Sequence, residues 1–168
     1  MKIIKKESQN QYLHEVAITA IIIKGGSYLI TRRDKNKKRF PGMWTVPGGK
    51  MESSDYLKLP KDTKHYWYNV LERTLKREVK EEVGINIEHI EYLTSLATIH
   101  QDGSPSLVIS CIADYKSGRI KLQKGEADKH AWASLKEAKK YKLIDGIYDE
   151  LVMAEKQRKG IKYEWKRH

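Results

Sequence analysis

Cysteine is nearly missing from this chain, with Cys111 standing alone among 168 residues. A lone thiol excludes an internal disulfide framework and fits a reducing, cytoplasmic setting. Long apolar runs are missing as well. The most apolar stretch, "HEVAITAIII" (14–23), falls far short of the roughly 20 residues of a membrane-spanning helix, so no membrane contact is expected. The basic start "MKIIKKESQNQ" has no apolar core of a secretory signal. Internal repeats and low-complexity linkers are also lacking. What remains is one globular domain over 1–168, its core at about 14–159 and a basic tail at 160–168, long enough to bury a core without staples.

Acids are in the minority. Lys and Arg number 33 against 22 Asp and Glu, a net charge of +11, and the excess is clustered. "RRDKNKKR" (32–39) carries six bases and one acid, and "KQRKGIKYEWKRH" (156–168) again six bases and one acid. Such patches attract nucleotides, nucleic acid or anionic surfaces. For the tail the plainer reading is a solvated face. The first patch lies just upstream of a glycine-rich stretch and is a candidate for substrate contact.

Residues 14–23 read as a strand, Gly25 and Gly26 as a two-residue hairpin turn, and 27–32 as the returning strand. Residues 33–50 read as a loop broken by Pro41, Gly42, Pro47, Gly48 and Gly49, with a short strand at "MWTV". The spacing of Leu71, Leu75, Val79 and Val83 predicts a helix over 69–83 that stops at Gly84. Segments 90–100 and 105–115 form a second hairpin through Asp102 and Gly103. "IKL" (120–122) and "HAWASL" (130–135) read as further strands, and 144–159 as a last helix. Strands, one helix, strands and then helices predict an α/β fold with a mixed sheet and helices on its faces.

Glu78, Glu81 and Glu82 lie within five residues and, at about 100° per residue, on one edge of the apolar stripe. Like charges three and four apart repel along a helix. A hard divalent cation relieves that repulsion, since Mg²⁺ takes carboxylate and phosphate oxygens. Pairing with Arg77, Lys76 and Lys80 on the same helix relieves it too. "RFPGMWTVPGGK" sets a Pro-Gly-Gly bend ahead of this helix, where backbone can approach a metal or phosphate closely.

"REVKEEVGI" (77–85) matches the second half of a known signature, Arg-Glu-aliphatic-x-Glu-Glu-x-Gly-aliphatic. With "AITAIII", "YLITRR", Trp44 before Pro-Gly-Gly and the late Trp132, the chain resembles the Nudix hydrolase family over most of 14–135. That resemblance implies a Nudix-type α/β/α sandwich and a Mg²⁺-dependent enzyme, Mn²⁺ serving as the alternative ion. Such an enzyme hydrolyses the pyrophosphate linkage of a nucleoside di- or triphosphate derivative, an oxidised purine nucleoside triphosphate among the options. It implies Gly48, Glu78, Glu81 and Glu82 as metal ligands, Glu81 and Glu82 in catalysis, and Arg77 orienting a glutamate. Glu126 is the expected late acid with Asp128 in reserve. Arg33, Lys50, Arg32 and Arg39 are the expected phosphate contacts, and a homodimer is a common assembly. Cys111 is expected in the core.

Two departures stand out. Counting back from Arg77, the box's first glutamate, which in the family supports the arginine, falls on Asn69, a residue able to cap the helix. Twenty residues separate Gly49 from Asn69 where the pattern needs six, so 53–67 is an insertion carrying Tyr56, His65, Tyr66 and Trp67. These rings suit stacking on a base, a plain surface loop or a dimer contact equally. The broken box also admits a second reading, a Nudix-like module that binds nucleotide or RNA without turnover. RNA 5′ ends are open as a partner on the strength of the +11 charge.

Overall fold

The computed structural model describes residues 13–166; the N-terminal reading at 1–11 and the last two residues of the tail lie outside it. In chain order the elements are β1 (Glu15–Lys24), β2 (Ser27–Arg33), β3 (Trp44–Thr45), β4 (Gly48–Lys50), α1 (Ser54–Leu57), α2 (Val70–Val83), β5 (Asn86–Ile99), β6 (Pro105–Ser117), β7 (Ala127–Ala133), α3 (Leu135–Ala138) and α4 (Ile147–Arg158). All seven strands join one sheet in the order β3-β2-β1-β6-β5, with β4 on β1 and β7 on β2. Only β1 and β6 run parallel, in register from Glu15↔Ser106 to Ile23↔Asp114.

Alternation along β1 builds a core on each face of the sheet. Ile18, Ala20 and Ile22 pack with Leu29, Leu75, Val79 and Val83 under α2. Ile21 packs with Tyr28, Ile30, Ile112, Leu151 and Ala154 under α4. The result is the expected α/β/α sandwich. The stripe at 71, 75, 79 and 83 is the buried side of α2, and Gly84 ends that helix in the left-handed conformation its φ of 78° requires. Gly25 and Gly26 turn β1 into β2 with φ of 55° and 78°, and Gly103 closes the β5–β6 hairpin at φ 80°. Cys111 is a buried core residue, as its mid-strand position implies.

Four local readings change. Gly48–Lys50 is a strand, pairing with Ala17, Ile18 and Thr19. Residues 120–122 form no strand; the Lys121 and Gln123 amides instead donate to the Val83 and Glu82 carbonyls at 3.0 and 2.8 Å, so this segment covers the end of α2. Asn69 sits at the N-cap of α2 but makes no side-chain capping bond, its backbone being left-handed at φ 53°. The last helix begins at Ile147, behind Gly146.

β1 and β2 pair at Ile23↔Tyr28 and Lys24↔Ser27 and then part. β4 continues on β1, while β3 and β7 continue on β2. The glycine strand therefore lies where the two halves of the sheet diverge, with α2 over it. No helix among the described residues is long and apolar enough to cross a membrane.

Leu75 is fully buried whereas Leu57 is 59% exposed. Leu75→Ala is expected to cost about 2–5 kcal/mol, read as a lower denaturant midpoint at unchanged slope. Leu57→Ala is expected to stay within about 0.5 kcal/mol.

Candidate active site

Two glycines let α2 approach β4. A Cβ on Gly48 would lie 2.3 Å from the Ile18 carbonyl oxygen, and one on Gly49 would lie 2.2 Å from the Glu78 carboxyl carbon. Any side chain at Gly49 would occupy the place of the Glu78 carboxylate. Four residues on, one helical turn away, Glu82 accepts the Gly48 amide at 3.0 Å and the Thr31 hydroxyl at 3.4 Å. The glycine bend thus holds both carboxylates. Of Gly48, expected as a carbonyl ligand, it is the amide that meets Glu82.

Arg77 braces the group from the side. Its guanidinium reaches Glu78 at 2.9 Å, Glu81 at 3.0 Å and the Lys50 carbonyl at 3.2 Å. It also forks onto Asp55 through Nε at 2.5 Å and Nη2 at 3.1 Å. The carboxylate at Arg77 comes from the insertion, not from position 69. Asp55 takes the Thr74 hydroxyl at 2.8 Å and the Glu52 amide at 2.9 Å, and its side chain is only 3% exposed. One sequence signal could have found it. Counting six forward from Gly49 lands on Asp55, and the fourteen extra residues then fall between Asp55 and Arg77.

Of the four expected phosphate contacts, Arg33 alone lies where the charge of Glu82 acts on it. Burial lowers its pKa, while Glu82 and Glu126 hold its charge and Arg39 opposes it; its Nε donates to the Arg39 carbonyl at 2.9 Å. It shares a strand face with Thr31. Arg32, between them, turns away and forks onto Asp128 through two bonds of 2.7 Å, which occupies the reserve acid as well. Lys50 pairs with Glu15. Arg39 reaches Glu15 at 2.9 Å and Asp102 at 3.6 Å. Glu15, which the sequence reading passed over, therefore gathers two of the candidate bases along with the Ser106 hydroxyl. Glu126, the late acid, pairs with Lys37, and its charge acts on Glu82. His100 bonds Ser106 at 2.7 Å.

Burial pushes the Glu82 carboxyl up to about 7, the Gly48 amide opposing and Glu126 adding to the rise. Burial also raises Glu78, although Arg77 pulls it down. No three His, Cys, Asp or Glu side chains among the described residues converge as a ready-made cage. The donors nevertheless fit a hard divalent cation. They are oxygens, two of them on carboxylates a turn apart, crowded by a third acid and raised by desolvation that a cation would relieve.

The Arg77 hydrogen bond, burial opposing, holds Asp55 at about 2 against an ordinary 3.8. A value lower in the folded than the unfolded state gives stability that is complete above about pH 4 and is lost as pH falls toward 2. Asp55→Asn is expected to lower the thermal midpoint at pH 6, and its gap from wild type is expected to close between pH 4 and 2. A gap unchanged with pH would refute the pairing.

The NUDIX domain model matches residues 13–153. The NAD-capped RNA hydrolase NUDT12 of Homo sapiens is 31% identical over 118 residues, 70% of this chain and 21% of that protein. The nucleoside triphosphatase NudI of Enterobacter sp. (strain 638) is 32% identical over 71 residues, 42% of this chain and 40% of its own. The chain thus spans about a fifth and two fifths of these curated relatives. Among solved structures, a MutT NUDIX hydrolase from Burkholderia pseudomallei superposes with a TM-score of 0.67 at 22% identity, covering 84% of this chain and 98% of that one. The NUDIX domain of Shewanella oneidensis NrtR, complexed with ADP ribose, gives 0.67 at 15% identity, covering 94% and 99%. At these identities the structures speak for the fold, and the family match speaks for the rest: the chain belongs to the NUDIX domain family.

Proposed function

We propose that this chain is a divalent-metal-dependent hydrolase that cleaves the pyrophosphate linkage of a nucleoside di- or triphosphate derivative. The observation that carries the reading is the pair Glu78 and Glu82, set a turn apart against the glycine strand, with Arg33 and Glu126 acting on Glu82. Glu78 and Glu82 are the residues to hold Mg²⁺ or Mn²⁺, with Glu81 and the Gly48 carbonyl at the margin. Bound there, the ion neutralises charge on the phosphate oxygens and lowers the pKa of a water. Arg33 binds a phosphate oxygen near the ion. Glu126 takes the proton as water attacks phosphorus and the bond to the bridging oxygen breaks. Arg77 fixes the glutamates, and Asp55, in the place of the box's first acid, fixes Arg77.

A nucleoside triphosphate, the substrate class in the name of NudI, and an RNA 5′ end, the class in the name of NUDT12, both present such a linkage. The second reading, a module that binds without turnover, draws on one observation: Arg77 pairs with both Glu78 and Glu81. A panel of nucleoside triphosphates, oxidised purines included, assayed for phosphate and pyrophosphate release separates the two. Release is expected with Mg²⁺ and not with EDTA. Glu82→Gln is expected to lower kcat by about a hundredfold or more at an unchanged thermal midpoint. Release by wild type and mutant alike would remove Glu82 from the chemistry, and no release on any substrate would favour the binder.

A further inference from the structure

Residues 53–67 lengthen the chain beside the site, and the structure shows how they are built. Asp55 anchors the segment's start to Arg77, and Asp62 anchors its middle to Arg73 at 3.3 Å. Asp62 also takes the Tyr68 amide at 2.8 Å. Trp67 folds inward, its Nε1 donating to the Leu59 carbonyl at 3.0 Å and its ring 5.3 Å from Tyr56. Thr63 bonds the Tyr66 amide at 3.0 Å. This internal bonding turns Tyr66 and Tyr68 outward, 64% and 56% exposed.

The charge of the segment is as ordered as its rings. Both acids are consumed by arginines of α2. Lys58, Lys61 and Lys64 are all exposed; Lys61 lies 5.0 Å from the Trp67 ring centroid, and Lys58 and Lys64 have no ion-pair partner among the described residues. Outward tyrosines directly following three exposed lysines match single-stranded nucleic acid, whose bases stack on exposed rings while cations follow the backbone. An acidic peptide would use the lysines but leave the tyrosines idle. A lone nucleotide held at Glu82 has no strand to reach them.

Resting on the pyrophosphate reading above, we propose that residues 56–68 are a docking surface for the single-stranded 5′ region of an RNA whose terminal phosphates lie at the glutamates of α2. Asp55 and Arg77 join the two parts, so the strand leaves the site across the insertion. The terminal nucleotide sits at the metal helix, and following bases stack on Tyr66 and Tyr68.

The test uses the full chain and a fluorescent single-stranded RNA of about twelve nucleotides bearing a 5′-triphosphate. Binding is read by anisotropy in EDTA, where turnover plays no part. The double variant Tyr66→Ala/Tyr68→Ala is expected to bind about a hundredfold more weakly, about tenfold for each lost stack. The triple variant Lys58→Gln/Lys61→Gln/Lys64→Gln is expected to flatten the log-affinity against log-salt slope by about 2. With Mg²⁺ added, both variants should hydrolyse a nucleoside triphosphate at the wild-type kcat and KM, while KM for the RNA rises. RNA affinity and salt slope unchanged in both variants would overturn the proposal, as would retention on phosphatidylserine vesicles without RNA binding. Loss of all nucleotide hydrolysis in the wild type with RNA binding intact would sink the enzyme reading and leave this surface standing.

Discussion

The approach of α2 to the glycine strand is the contact on which the site depends. Gly48 has no room for a side chain because of the Ile18 carbonyl, and Gly49 has none because of the Glu78 carboxylate. Removing two Cβ atoms brings two acids onto the backbone of β4, where one of them accepts the Gly48 amide. The apolar stripe of Leu75, Val79 and Val83 pulls the helix the same way, since it buries the adjoining face of the same turns. Position and burial of the acids are therefore one fact. Being held close makes them hard to ionise, and a group hard to ionise alone is one that gains from a cation.

Arg77 is the second support, and its arrangement is economical. One guanidinium reaches three carboxylates and a carbonyl, which spreads the planar fork over the whole group. Asp55 faces it from the insertion, so the added segment does more than lengthen a loop. It is tied to the helix that carries the glutamates. Asp55 of that loop is bonded to Arg77, and Arg77 in turn to Glu78 and Glu81.

Much of this was legible in the sequence, for local reasons. The four-residue spacing of α2, the Gly-Gly and Asp-Gly turns and the β-branched run of β1 each set backbone geometry within a few residues. The glutamates and Arg77 followed from the same helix. What the sequence left hidden depends on pairing over distance. Gly48–Lys50 is a strand only because β1 lies beside it; glycines in isolation argue for a turn. The arginines of 32–39 look alike in composition, but β2 puts Arg33 where the charge of Glu82 acts on it, while Arg32 goes to Asp128. The acid at Arg77 was sought by counting back from the helix and found by counting forward from Gly49. An insertion moves residues in the sequence without moving the partner in space.

Glu78 and Glu82 are proposed to hold a divalent ion. Titration of the full chain with Mn²⁺, followed by the electron paramagnetic resonance signal of the free ion, measures this without any substrate. One Mn²⁺ site is expected, which Glu78→Gln and Glu82→Gln each weaken at least about tenfold and which Asp62→Asn leaves intact. Equal Mn²⁺ affinity in wild type and both glutamine variants would contradict it.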